Sequence, residues 1–371
     1  MTVRAKDIMA VMEEAFPLYL AESWDNSGLQ IGSADKEVGR LLIALDLDEF
    51  AWQQAADNRV DMIITHHPFF FRPIKNIDYA SEKGRMIQKL VSADITLYSA
   101  HTNLDAARQG LNQLLAERLG LLGIEPLYPA YREALFKLVV FVPVSHGEAV
   151  REAICAAGGG FIGRYSDCSF RTRGTGTFRP GQDTHPFIGA GGILEEVEEF
   201  RLETIIYEHD ISRVLTAMQE AHPYEEVAYD LYRLENQGQE FSPGRRGHLR
   251  QKTRLRDYAL QVKTALGLRS LRVVGNLESM VHNIAVISGA GASLTDHLRG
   301  RDIDVLVTGD LKYHEAKEAE ASGLAIIDAG HQGTEAIVVP LLYDFLTSRL
   351  KNERPALELI QCHSPACIKD V

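Results

Sequence analysis

Cysteine is scarce in this chain. Cys155, Cys168, Cys362 and Cys367 fall at no framework spacing, so a disulfide scaffold is not expected and the reducing cytoplasm is the simplest setting. Long apolar runs are missing as well: no stretch approaches the roughly 20 residues that a membrane span needs, which argues against a membrane partner. Met1 to Phe16 reads as an acidic amphipathic helix rather than a signal peptide. Positive charge is in deficit, with 39 Lys and Arg against 51 Asp and Glu and a formal net charge of -12. That balance disfavours non-specific attraction to nucleic acid or to anionic lipid. Apolar content is ordinary, at 45% hydrophobic and 24% charged residues, and 371 residues suffice for two or three domains.

Strand-like and helix-like segments alternate in both outer regions, which predicts an α/β fold. In the first, Leu41–Asp46, Asp61–Thr65 and Thr96–Ser99 read as strands, with helical patterns over Glu49–Asp57, Ser81–Ser92 and Ala106–Leu119. The last region repeats the theme at Asn283–Ser288, Asp304–Asp310 and Ala325–Asp328. Pro340 is expected to kink the final helix or to end a first short segment of it. Between the two lies a β-α-β-β-α-β order, with strands at 135–142, 161–170, 200–207 and 227–234 and helices at 146–157 and 211–220. This is the split βαβ, or ferredoxin-like, arrangement. Residues 131–235 therefore read as an insertion, and 1–130 with 236–371 as one discontinuous α/β domain.

Three strand ends carry groups that bind metals. His66-His67 closes the run Asp61–Thr65 and meets Pro68; His101-Thr-Asn-Leu-Asp105 follows Thr96–Ser99; His331-Gln-Gly-Thr-Glu335 follows Ala325–Asp328. Polar residues at strand ends stand where open α/β sheets build their sites. A helix starting at His331 would put His331 and Glu335 on one face, four residues apart, within reach of one ion. Alone, a His-His pair is more often a surface feature; the shared layout of the three segments is what points to a metal.

Other motifs are less specific. Gly289-Ala-Gly291 could offer amides to a phosphate, or could be only a tight turn. Thr308-Gly-Asp310-Leu-Lys312-Tyr-His314 places an acid, a cation and a base near the proposed site, with Asp310 either capping a helix or taking part in proton transfer. His222-Pro-Tyr-Glu-Glu226 reads as a structural turn or subunit contact, Trp24-Asp25-Asn26-Ser-Gly28 as packing beside the site mouth, and Cys362-His-Ser-Pro-Ala-Cys367 as an unstructured tail.

Trp24-Asp-Asn-Ser-Gly-Leu-Gln-Ile-Gly32, His66-His-Pro68, His101-Thr-Asn-Leu-Asp105, Thr308 to His314 and Gly330-His-Gln-Gly-Thr-Glu335, in this order and spanning nearly the whole chain, resemble the GTP cyclohydrolase 1 type 2 homologues, the Nif-three-like dinuclear metal family. The resemblance implies paired metals held by His66, His67, Asp105, His331 and Glu335; three imidazoles and two carboxylates make a borderline set acceptable to divalent zinc, iron or manganese. The resemblance also implies an inserted domain similar to the signalling protein PII that ends in the motif at His222 to Glu226, and a homohexameric toroid. One departure is Ala290, where relatives commonly carry Ser in the glycine turn.

The family name implies a hydrolase that opens the imidazole ring of GTP with a hydroxide held by the metals. Lys312, Arg245 and Arg246 are then the candidates for phosphate contact, and Asp310, His314 and His101 those for proton transfer. A metal-binding or metal-delivery protein without turnover is the alternative reading. A toroid threading single-stranded nucleic acid would need a positive channel and stacking aromatics, and the charge of -12 argues against it.

Overall fold

The computed structural model describes residues 3–298, 300–350 and 356–369. The chain divides into two compact units, Met1–Tyr131 with Phe241–Val371, and Arg132–Glu240. The second unit runs a few residues past 235, because the Glu133 amide donates to the Gln239 carbonyl (3.0 Å) and Arg132 pairs with Glu240. No helix among the described residues is long and apolar enough to cross a membrane.

The first unit holds a five-stranded and a six-stranded sheet. In the five-stranded sheet Glu358–Gln361, Arg40–Ala44, Met62–Thr65 and Thr96–Ser99 run parallel, and Gly28–Ile31 closes the edge antiparallel. In the six-stranded sheet Met280–Val286, Val305–Thr308 and Ala325–Asp328 are the parallel core, flanked by antiparallel Arg272–Val274 on one side and Arg245–Arg254 with Leu122–Pro126 on the other. Met62–Thr65, Thr96–Ser99, Val305–Thr308 and Ala325–Asp328 are buried at every residue. Strands covered on both faces read as mostly apolar runs, as Met62–Thr65, Val305–Thr308 and Ala325–Asp328 do.

One apolar cluster joins the sheets, with Leu41, Ile43, Met62 and Ile64 from one, Ile284, Val286, Val305 and Ile327 from the other, and Leu342 and Leu346 of helix Val338–Leu350. Each such side chain, fully buried, contributes about 1.5–3 kcal/mol, so this core dominates the stability of the unit. Register then fixes the site. Ala44 pairs with Thr65, and Thr65 with Ser99, so the residues after them emerge along one sheet edge. Val286, Val307 and Ile327 align in the same way.

Three segments depart from the sequence reading. The helix expected over Ala106–Leu119 is two, Thr102–Ala106 and Leu111–Arg118, because Ala107 turns to extended backbone and Gly110 lies against the Leu104 carbonyl, which a Cβ would meet at 1.8 Å. The last helix is divided as expected, into a short His331–Glu335 and Val338–Leu350, although Pro340 sits in the first turn of the second, where a missing N–H costs nothing. The strand expected at 161–170 lies at Ser169–Phe178, since Ile162 and Tyr165 bridge a tight turn and Asp167 has φ +59°. An unforeseen strand, Glu358–Gln361, covers the edge of Arg40–Ala44; Cys362 to Cys367 after it has no helix or strand, as expected, although Cys362 is buried.

The second unit is an antiparallel sheet in the order Ser169–Phe178, Glu195–Tyr207, Leu135–Pro143, Tyr229–Arg233. Helices Gly147–Ala156 and Ile211–Ala221 pack Val150, Ile154, Val214 and Met218 on Leu138, Val140, Val142, Leu202 and Ile206. Strand order and direction are those of a β-α-β-β-α-β unit.

Candidate metal centre

Four histidines approach one another at the ends of the parallel strands. His66 and His67 follow Met62–Thr65, His101 follows Thr96–Ser99, and His331 opens the short helix after Ala325–Asp328. Ligand atoms of His66, His67 and His101 lie within 4.8 Å of one another, as do those of His67, His331 and Glu335. Asp105 adds a carboxylate oxygen 3.7 Å from His66 Nε2.

All four rings are held by the same device. The Nδ1 of His66 lies 2.8 Å from the Ala100 carbonyl, that of His67 2.7 Å from Asp46, that of His101 2.8 Å from Asp25, and that of His331 2.7 Å from Asp310. A carbonyl or carboxylate oxygen accepts, so Nδ1 carries the proton and, in a neutral ring, Nε2 presents a lone pair to the centre. Metal-ligating histidines are oriented in this way. The test of fit is His66, whose Nε2 is fully buried and has no hydrogen-bond partner, a costly state for a lone pair unless a cation occupies its direction.

Glu335 sits between the two halves. Its Oε2 is 3.0 Å from the Nε2 atoms of both His67 and His331, close but without hydrogen-bond alignment, and those two nitrogens are 3.4 Å apart. Gly289, at φ +60°, makes room for it: a Cβ there would meet Glu335 Oε1 at 2.2 Å.

Without a cation, protons take up the charge. Burial works against ionised Glu335, yet His331 and His67 offset it and hold the carboxyl well below the usual range. Burial likewise opposes a charged His67, and Asp46 and Glu335 overcome it, raising the ring to about 10. His331 rises to about 9, chiefly through Glu335. Asp105 is pushed up to about 7 by burial and then by the charge of Glu335. His66 falls to about 3, because burial outweighs the charge of Glu335 and neighbouring imidazoles add to the lowering.

The Duf34/NIF3 (NGG1p interacting factor 3) family profile matches residues 3–365. The chain belongs to the Duf34/NIF3 family. It is 42% identical over 353 residues to the GTP cyclohydrolase 1 type 2 homolog of Halalkalibacterium halodurans, covering 95% of each, and 42% identical over 330 residues to that of Bacillus subtilis, covering 89% of this chain and 88% of the other. Among solved structures, a Bacillus cereus protein related to NIF3 superposes with a TM-score of 0.91 at 40% identity over 100% of both chains. A Staphylococcus aureus protein does so at 0.77 and 26%, over 100% of this chain and 99% of the other.

Of the residues singled out in sequence, the fold of this family member brings His66, His67, His101, Asp105, His331 and Glu335 together. His101 stands among the ligand atoms, with His66 and His67. Asp310 holds His331 and does not cap the following helix, whose N-cap is Lys312.

The expected phosphate contacts are committed elsewhere. The guanidinium of Arg245 is buried on the carbonyls of Ser242, Gly244, Ala106 and Ala107, and burial lowers it to about 10. Arg246 pairs with Glu125 at 3.1 Å, and Lys312 is exposed and pairs with Glu315 at 3.7 Å. His314 is exposed, edge-on to Tyr313, with no recorded contact to the cluster among the described residues. The Gly289 and Gly291 amides donate to Thr334 and Thr308 hydroxyls, so neither is free for a phosphate.

Sequence reasoning missed three supports. Asp25, read as loop packing, orients His101 and accepts from Thr102. Asp46, directly after a strand-like run, was legible by the rule that singled out His66. Asn112 is fully buried and ties Ser288 (3.1 Å) to the carbonyls of Pro243 and Asp105, and Ser288 donates to Asp105 at 3.2 Å; a polar residue within an apolar helix was the only signal.

Proposed function

We propose that this chain is a metal-dependent hydrolase of a nucleotide or a related small molecule, built on two divalent ions. The observation that carries the reading is the buried, unpartnered Nε2 of His66 beside three further imidazoles and two carboxylates. A ligand set richer in nitrogen than in oxygen suits zinc or iron better than magnesium or calcium, and its two carboxylates keep manganese acceptable. The ions, when bound, supply Lewis-acid polarisation of the substrate and an acidified water.

The residues do the rest. Ala100, Asp46, Asp25 and Asp310 fix the imidazoles so that binding needs no reorientation. Asp105 and Glu335 bring the negative charge that offsets two cations. Trp24 (55% exposed) and Phe71 (49%) stand 5.5 Å apart, each edge-on to His101 at 5.9 and 6.1 Å. Exposed aromatic faces beside a metal site favour a planar heteroaromatic substrate. GTP is the first substrate to test, with mass spectrometry for a ring-opened product or formate. Wild type loaded with zinc, iron or manganese is expected to yield it, and Glu335→Gln and Asp105→Asn to lose it.

A second reading, metal delivery without turnover, is favoured by one observation: the Arg245 guanidinium is spent on main-chain carbonyls and Arg246 is paired with Glu125. Transfer of metal to an apo-acceptor by protein that leaves a nucleotide panel intact would select it. The same proposal takes the Arg132–Glu240 unit as similar to PII, on its strand order, and the chain as a cytoplasmic homohexameric toroid. Light scattering that reports a monomer at micromolar concentration would exclude the toroid.

A further inference from the structure

The second unit contains a cavity of about 420 Å³, within the range of small-molecule sites. Phe141, Phe178, Phe187 and Tyr224 supply its aromatic lining, with ring centroids of Phe178 and Phe187 at 5.6 and 6.4 Å from Tyr224. Tyr224 belongs to the His222-Pro-Tyr-Glu-Glu226 motif. His222 itself is spent on the turn: its Nε2 donates to the Phe141 carbonyl (3.0 Å) and its Nδ1 accepts the Tyr224 amide (3.1 Å). The motif thus aims Tyr224 and the two glutamates at the cavity.

Glu199 is the informative residue. It lines the cavity and is 7% exposed, yet the structure gives it one donor, the Tyr224 hydroxyl on Oε1 at 3.0 Å. Among the described residues no Lys, Arg or His forms an ion pair with it, and Oε2 has no hydrogen bond. Oε2 occupies the space a side chain at Gly176 would need, since a Cβ there would come within 2.0 Å. The strand therefore leaves out a side chain to seat this carboxyl group. Buried acids are ordinarily paired with a cation. The lining cation Arg179 donates instead to the Gly192 carbonyl at 2.6 Å, while Glu225 and Glu226 add two further acids.

We propose that this cavity binds a small organic ammonium, its charge on Glu199 and its apolar body among the aromatic rings. The ring faces add cation–π attraction to the charge-assisted hydrogen bond. The proposal is independent of the metal centre, because every residue in it belongs to Arg132–Glu240.

Titration calorimetry of the full chain with 2-phenylethylamine, neutral 2-phenylethanol and anionic 3-phenylpropanoate tests it. The amine is expected to bind at least about tenfold more tightly than the alcohol, and the acid not at all. Glu199→Gln keeps the shape and the Tyr224 contact and should erase that preference, with an unchanged circular dichroism spectrum. Should Glu199→Gln misfold, Phe187→Ala at the exposed rim reads the same site and should weaken the amine severalfold. Equal binding of amine and alcohol, no binding of the amine at millimolar concentration, or an intact preference in Glu199→Gln overturns the proposal. So does a Glu199→Gln variant that changes only the oligomeric state, which would make the cavity a contact between copies.

Discussion

The two units use their strands in opposite ways. In the first, parallel strands finish at a common edge, so the residue after each strand arrives beside its counterparts: Asp46 and the His66-His67 pair, then His101. The six-stranded sheet does the same with Gly289, Asp310 and His331. Both halves even end alike, with a histidine, a five-residue helix and an acid four positions on, His101 to Asp105 and His331 to Glu335. In the antiparallel unit successive strands end at opposite edges, so its functional groups gather instead across a long hairpin and a loop, as Gly176, Glu199 and Tyr224 do. A parallel sheet makes a site from strand ends; an antiparallel one makes it across paired strands and the loop beside them.

The largest effect that could break this comparison is loss of metal. His66→Ala removes a candidate ligand from the five-stranded half and His331→Ala one from the six-stranded half. Elemental analysis is expected to find metal lost in both, with the fold kept, because neither side chain belongs to the shared apolar cluster. Unchanged metal in both variants would dissolve the site. If one variant alone loses metal, the two halves are not equivalent. The next effect is smaller: Asp25→Asn and Asp310→Asn leave every ligand in place but loosen one ring in each half, and roughly 10- to 100-fold weaker metal binding is expected. Affinities equal to wild type would show that the rings are held by packing alone.

The same contrast explains what was legible in the sequence. His66, His67, Asp105, His331 and Glu335 could be read because each stands within a few residues of a parallel strand's end, and burial on both faces makes those strands plain apolar runs. Asp25 could not, because it reaches His101 from a loop 76 residues away, and nothing in a Trp-Asp-Asn run tells an orienting acid from a turn former. Arg245 misled for the opposite reason: a cation in a polar Gly/Pro/Arg segment reads as exposed, whereas pairing of Arg245–Arg254 with Met280–Val286 buries it on carbonyls. In the antiparallel unit the helices and two strands match nearly in full and the strand expected at 200–207 begins earlier, at Glu195, but the hairpin is displaced because glycines at 174 and 176 hide a ten-residue strand. Glycine there serves Glu199, a reason visible only once the pair is assembled.

Gly289→Ala probes the seam between the halves. The substitution puts a side chain at φ +60° and 2.2 Å from Glu335 Oε1, so backbone strain and a displaced carboxylate arise together. A loss of about 1–3 kcal/mol in unfolding free energy is expected, measured by denaturant titration, with weaker metal binding alongside. Wild-type metal affinity in the Gly289→Ala variant would mean that Glu335 has freedom the packing does not suggest.

The smallest effect lies in the antiparallel unit and should leave the metal centre untouched. His209 pairs through Nδ1 with Glu133, whose side chain is 2% exposed, and its Nε2 is 3.4 Å from Asp210. Burial disfavours the charged ring, but the bond to Glu133 and the nearby charges prevail and raise its pKa above the ordinary 6.5. A histidine raised on folding stabilises the native state fully below its unfolded value and loses that contribution as pH climbs through the folded one. His209→Gln should therefore cost roughly 0.5–1 kcal/mol near pH 6, a few degrees at most in melting temperature, and less near pH 9. Comparing variant with wild type at each pH cancels the titration of the metal ligands, which both share. A melting difference that does not shrink as pH rises would show that His209 acts through packing rather than charge, while metal content that falls with it would show that the two units are coupled.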